Sequence, residues 1–166
     1  VFDVINENPE TPDMPNAGEF KNVSGEVEFL DVSFGYNEGV PVLKNINLKV
    51  EPGETVALVG PTGAGKTTVV NLLTRFYDVD KGAIYIDGKD IRNVKRNSLR
   101  EALGIVLQDT HLFSETVMEN IRFGRLDARD DEVKEAARLA NAHYFIKRLP
   151  QGYGTVLSED GGNLSQ

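Results

Sequence analysis

Residues 60–68 read Gly-Pro-Thr-Gly-Ala-Gly-Lys-Thr-Thr. This fits the spacing G-x-x-x-x-G-K-[ST], whose chemistry is the gripping of a phosphate chain. Gly60, Gly63 and Gly65 let the backbone curl around an anion without Cβ clashes, and Pro61, Thr62 and Ala64 complete the loop. Successive N–H groups of such a loop point inward, and a helix beginning at its end adds partial positive charge. Lys66 is then placed to reach the β- and γ-phosphates of a nucleotide. Thr67 is placed to ligate Mg²⁺ through its hydroxyl, and Thr68 to donate to the α-phosphate. The competing reading is a glycine-rich turn that binds nothing. The pattern alone implies a triphosphate and does not separate ATPases from GTPases or small-molecule kinases.

Such a loop needs a strand before it and a helix after it. Residues 55–59, Thr-Val-Ala-Leu-Val, form a short continuous apolar run, as expected of a buried parallel strand. Residues 66–76 have helical spacing, with Val69, Val70, Leu72, Leu73 and Phe76 expected on the inner face. Upstream, residues 26–34 and 42–50 alternate polar and apolar and predict two strands, with a turn over 51–54. Residues 83–86 predict a strand closed by the turn Asp87-Gly88. A short helix is expected over 97–101 and a second buried strand over 104–107, with Gln108 at its carboxyl end. Residues 130–149 predict one helix, with Val133, Ala136, Ala137 and Ala140 in a stripe and Asp127 or Asp130 as N-cap. The first twenty residues carry Pro9, Pro12 and Pro15 and no cation, which predicts an extended acidic linker.

The bulk properties narrow the function classes. A length of 166 residues allows one domain with a hydrophobic core. A net charge of −8 disfavours nucleic-acid binding, which needs a basic face, so no nucleic-acid partner is expected. An acidic chain can still hold a nucleotide through backbone N–H groups and a few cations. The absence of cysteine excludes disulfides, thiolate metal sites and cysteine nucleophiles. No run of about 18 apolar residues is present, so a soluble segment is expected.

Several phrases around the loop carry a resemblance. These are Phe29-Leu-Asp-Val-Ser-Phe-Gly-Tyr36, Val42-Leu-Lys-Asn-Ile-Asn-Leu48 and Gly53-Glu-Thr-Val-Ala-Leu-Val-Gly60. They continue with Leu72-Leu-Thr-Arg-Phe-Tyr-Asp78, Ile86-Asp-Gly-Lys-Asp-Ile91, Gln108-Asp-Thr-His-Leu-Phe-Ser114 and Glu119-Asn-Ile-Arg-Phe-Gly124. Together they resemble ABC-transporter ATP-binding domains of the exporter branch, from about Gly25 to the last residue. The resemblance implies an α/β P-loop NTPase fold with a parallel core sheet, an antiparallel β subdomain and the start of a helical subdomain. It implies a linker over residues 1–22 from a preceding transmembrane domain, and a partial ATP-binding domain over 23–166 that ends within the signature motif.

Roles follow from the matched positions. Tyr36 matches the aromatic residue that stacks on adenine; the competing reading is a half-buried tyrosine at a strand end. Gln108 and Lys66 match the catalytic positions. Gln108 would also contact Mg²⁺ with Thr67, and its loop would sense the transmembrane part. Glu159 matches an acidic loop that touches coupling helices, its alternative being a solvated surface acid. Ser165, in Leu164-Ser165-Gln166, matches the signature serine that contacts the γ-phosphate held by a second ABC domain, in a homodimer or a heterodimer. Leu107, Val79 and Asp160 depart from the residues usual at their positions. The resemblance places the Mg²⁺-associated aspartate, the catalytic glutamate and the switch histidine after Gln166, and His111 and His143 match no catalytic position. The implied activity is ATP binding and hydrolysis with Mg²⁺, driving export from the cytoplasmic face of a membrane. The alternatives are a soluble ABC-type ATPase of the DNA-repair or chromosome type and a nucleotide sensor that does not hydrolyse.

Overall fold

Strand β1, Val27–Phe34, lies between two antiparallel neighbours, β2, Leu43–Val50, and β3, Lys81–Ile86, with β4, Lys89–Asp90, beyond β3. The computed structural model describes residues 12–107 and 111–158. The chain divides into two units, Val1–Gly104 and Ile105–Gln166.

In the first unit, β1 buries Phe29, Val32 and Phe34. Phe29 and Val32 are three residues apart, so strict alternation would send them to opposite faces. The register of β1 shifts between them, and Asp31 takes a left-handed φ of 48°, which returns both side chains to the core. β3 matches this irregularity with Gly82, at φ 80°, where a Cβ would lie 2.3 Å from the Leu30 carbonyl oxygen. The core joins these residues to Leu43, Leu72, Ile84, Ile86, Ile91 and Leu99. Full burial of side chains such as Phe29 and Leu72 is worth about 1.5–3 kcal/mol each.

The turn at Asp87-Gly88 has positive φ at both residues, 48° and 72°, as a two-residue hairpin between β3 and β4 requires. The Asp87 carboxylate also accepts from the Ser24 hydroxyl and from the N–H groups of Ser24, Gly25 and Glu26. The Ser24 hydroxyl above all, followed by those backbone N–H groups, holds this carboxyl below the usual aspartate range. The resulting stability is present above the ordinary carboxyl pKa and is lost as pH falls through the depressed one. Asp87→Ala should therefore lower the melting temperature at neutral pH and narrow the gap to the parent protein on acidification, as a melting series against pH would show.

Helix α1, Lys66–Leu73, follows the glycine loop. It stops three residues earlier than its spacing suggests. The Phe76 N–H donates to Asn71 O and the Arg75 N–H to Leu72 O, with Arg75 left-handed at φ 54°. This is a Schellman closure with arginine in the place where glycine is usual. Leu72 is buried and Val69 and Leu73 half-buried, whereas Val70 and Phe76 are exposed, contrary to the expected inner face. The early left-handed turn carries Phe76 off the helical stripe, where the Arg100 guanidinium lies 5.1 Å from its ring centre.

Arg75 is held from several sides. Its guanidinium donates to the Ile91 and Val94 carbonyls and to Asp78, and only 4% of its side chain is exposed. Asp13 lies 3.9 Å from Arg75 and 3.5 Å from Arg96, and its carboxylate accepts from the Arg96 N–H at the start of helix α2, Arg96–Glu101. Residues 13–20 of the acidic segment are thus fastened to this unit: Gly18 pairs with Val94, Phe20 N–H donates to Ser98 Oγ, and Glu19 meets Lys95 at 2.7 Å.

The two apolar runs read as buried parallel strands do not carry strand ladders among the described residues. Residues 55–59 and 104–107 are irregular, and Val59 and Val106 are each 93% exposed. A parallel strand exists only through neighbours that take up its N–H and C=O groups. The described ladders are all antiparallel and include neither run.

The second unit contains α3, Val117–Arg122, α4, Asp130–Leu139, and α5, His143–Arg148. The single helix expected over 130–149 is two helices. Asn141 is left-handed at φ 57° and closes α4 with Ala142 N–H to Ala137 O and Asn141 N–H to Arg138 O. The buried stripe of α4 is Val133 and Ala137; Ala136 and Ala140 are exposed. The N-cap of α4 is Arg129, not Asp127 or Asp130, and its N–H donates to the Glu132 carboxylate. Val117, Ala137, Ile146 and Leu157 form the core of this unit. His143 Nδ1 meets the Tyr153 hydroxyl at 2.8 Å, a packing role.

Candidate phosphate-binding site

The loop of residues 60–65 has the backbone its sequence demands. Gly63 and Gly65 lie at φ 84° and 89°, and Gly65 is the N-cap of α1. Any side chain at Gly65 would also place its Cβ 2.7 Å from Leu43 Cδ2 in β2, so the loop rests directly on the antiparallel sheet. The first turn of α1 holds no acidic residue, leaving its partial positive charge uncompensated. The Lys66 ammonium donates to the carbonyls of Gly60 at 2.7 Å and Pro61 at 2.9 Å, which holds its charge over the loop. The Thr67 hydroxyl belongs to an exposed residue, whereas Thr68 is buried, with 4% of its surface accessible.

Tyr36 follows β1 and approaches α1. Its hydroxyl donates to Thr68 Oγ1 at 3.2 Å and accepts from Asn71 Nδ2 at 3.2 Å. Its ring stands nearly perpendicular to those of Phe34 and Tyr77, with centres 5.0 and 5.1 Å away. Edge-on aromatic pairs of this kind contribute about 0.5–1.5 kcal/mol each. Tyr36 nevertheless remains 45% exposed. The side chain is thus packed against Phe34, Tyr77 and α1 and accessible over part of its surface.

The structure brings together Tyr36, the loop of residues 60–65, Lys66, Thr67 and Thr68. Gln108, Glu159 and Ser165 lie outside the described residues. Asn71 and Tyr77, which touch Tyr36, were not singled out by the sequence reading. Asn71 had a signal: it lies three residues after Thr68 and so shares its helical face. Tyr77 had none beyond being aromatic. The residues suit a nucleotide. Left-handed glycines, an N-terminal helix turn without acids and a lysine are groups that would suit phosphates, and a partly open aromatic ring one that would suit a base. Among the described residues no group of three or more His, Asp or Glu could hold a metal by itself.

A family model described as ABC transporter matches residues 43–163. The chain belongs to the ABC transporter family. It is 55% identical over 166 residues to the uncharacterized ABC transporter ATP-binding protein YfiC of Bacillus subtilis (strain 168), covering 100% of this chain and 28% of that protein. ATP-binding cassette sub-family B member 6 of Homo sapiens is 47% identical over 165 residues, covering 99% of this chain and 20% of that protein. Among solved structures, a bacterial Atm1-family ABC exporter with ATP bound superposes with a TM-score of 0.84 at 46% identity, covering 99% of this chain and 29% of that one. The chain spans less than a third of each of these ABC proteins. Its fold is that of the P-loop ATPase domain of ABC exporters. No helix among the described residues is long and apolar enough to cross a membrane.

Proposed function

We propose that this chain is part of the ATP-binding and hydrolysing domain of an ABC exporter. One observation carries this more than any other. The partly open Tyr36 ring is hydrogen-bonded to Thr68 on the helix that the glycine loop opens, so a base platform and a phosphate cradle would be set by one helix. Gly60, Pro61, Thr62, Gly63, Ala64 and Gly65 would surround the phosphates, Lys66 would neutralise them, and Thr67 with Gln108 would hold Mg²⁺. Bound Mg²⁺ would supply charge neutralisation for phosphoryl transfer to water. Ser165 would serve the nucleotide of a second ABC domain. The Gln108 and Glu159 loops would meet coupling helices of a transmembrane domain reached through residues 1–22. The domain would then lie at the cytoplasmic face of the membrane.

The test is calorimetry on the complete domain that contains this chain. Magnesium-dependent uptake of ATP is expected, and its absence would overturn the proposal. Tyr36→Ala should weaken ATP binding by roughly 5- to 150-fold, the equivalent of about 1–3 kcal/mol for a base on an aromatic platform. The same variant should bind inorganic tripolyphosphate as the parent does; equal losses for both ligands would remove the stacking role.

A further inference from the structure

The hydrogen bonds around Tyr36 form an ordered chain. Asn71 Nδ2 donates to the phenol oxygen, and the phenol donates to Thr68 Oγ1, each at 3.2 Å. Both partners stand on α1, three residues apart, so they face the same way. Phe34 and Tyr77 close on the ring edge-to-face and limit its swing. A tyrosine held only by these rings could still pivot about its own Cβ. One held also at its hydroxyl has a fixed tip, and the ring stays in one place against α1. Thr68 is the anchor suited to this: it is buried, and it sits one turn into the helix that begins at the phosphate loop. An aromatic platform gains from being held, because less conformational freedom is lost when a base settles on it.

We propose that Asn71 is a positioning residue for nucleotide recognition: by clasping the Tyr36 hydroxyl together with Thr68, it fixes where the ring on which the base stacks stands relative to the phosphate loop. Asn71 touches no part of the nucleotide in this scheme and acts only through Tyr36. This rests on the nucleotide-binding function proposed above and specifies how its base-recognising half is held.

The scheme separates Asn71 from a residue that merely supports α1. Asn71→Ala should lower ATP affinity about three- to tenfold, the range for one hydrogen bond, and leave inorganic tripolyphosphate affinity within about twofold. Tyr36→Phe keeps the ring and its packing and loses only the hydroxyl, so it should show the same split and should fold where Asn71→Ala does not. In the Tyr36→Phe background, Asn71→Ala should have no further effect, because its path to the base is already cut. Calorimetry on the complete domain with ATP and with tripolyphosphate reads all of these. The proposal is overturned if either single variant binds ATP like the parent. It is equally overturned if ATP and tripolyphosphate weaken together, or if the two substitutions add. Loss of ATP affinity in Tyr36→Ala with none in Asn71→Ala would remove the clasp and keep the platform. No loss in Tyr36→Ala would remove both.

Discussion

Lys66→Ala will weaken magnesium-dependent ATP binding by about a hundredfold or more in the complete domain. The Lys66 ammonium is held 2.7 and 2.9 Å from two loop carbonyls, where its charge lies over the mouth of the loop. Those carbonyls are neutral acceptors, and phosphate oxygens would replace them with charged ones. Hydrogen bonds to charged groups contribute about 1.5–3 kcal/mol each, and two of them exceed the ~2.7 kcal/mol that a hundredfold represents. Lys66→Arg should recover little, because a planar guanidinium cannot occupy the place of a compact ammonium inside a tight glycine loop. Melting temperature should barely move in either variant, since the lysine bonds only to loop carbonyls. Calorimetry that returned parental affinity for Lys66→Ala would show that the loop does not grip the triphosphate.

A stability effect of comparable size is expected at Arg75. Arg75→Ala removes a guanidinium that is almost wholly buried and takes its hydrogen bonds from the Ile91 and Val94 carbonyls, leaving Ile91 O to the long 3.4 Å bond from the Val94 N–H. It also strips Asp78 of its closest cation and weakens the hold on Asp13. Breaking a fully buried ion pair costs about 3–5 kcal/mol; here both aspartates are about a third exposed, which lowers the expectation to about 2–4 kcal/mol. Backbone conformation adds nothing to it, because arginine and alanine carry the same Cβ strain at φ 54°; only glycine escapes it. Arg75→Gly isolates that strain: it loses the same hydrogen bonds but suits the turn, and should be less destabilised than Arg75→Ala by about 1 kcal/mol. Urea unfolding of the complete domain measures both. A loss below about 1 kcal/mol in Arg75→Ala would mean that the guanidinium network contributes little to the fold.

Much of this architecture is legible in the residues. The alternation in β1 and β2, the Asp-Gly turn after β3 and the glycine loop opening α1 all announce themselves through local chemistry. What stayed hidden depends on partners distant in sequence or on unusual residues in left-handed positions. The run at 55–59 reads as a buried strand because its composition is apolar, but a strand is a relation between segments, and composition names no neighbour. Arg75 and Asn141 end their helices where glycine would have been an obvious sign. The Asn141 break had a usable signal, since asparagine is the next residue to tolerate that conformation. The α3 start had one as well: Thr116-Val-Met-Glu119 has the capping-box pattern, and the Thr116 hydroxyl does accept from the Glu119 N–H. In the site, the motif fixed where phosphates would go, whereas the companions of Tyr36 emerged only once β1 and α1 were seen side by side.

Gly65 has a consequence that reaches past the loop it shapes. Gly65 packs against the Leu43 side chain with no spare room at its Cα, so order in the loop and order in the sheet support each other. A ligand that selects the ordered loop must then favour the ordered sheet by mass action, to the extent of about 2.7 kcal/mol at a hundred times its dissociation constant. Under the proposed function, nucleotide supply would thereby become a term in the folding equilibrium of the first unit, and heat resistance a gauge of occupancy.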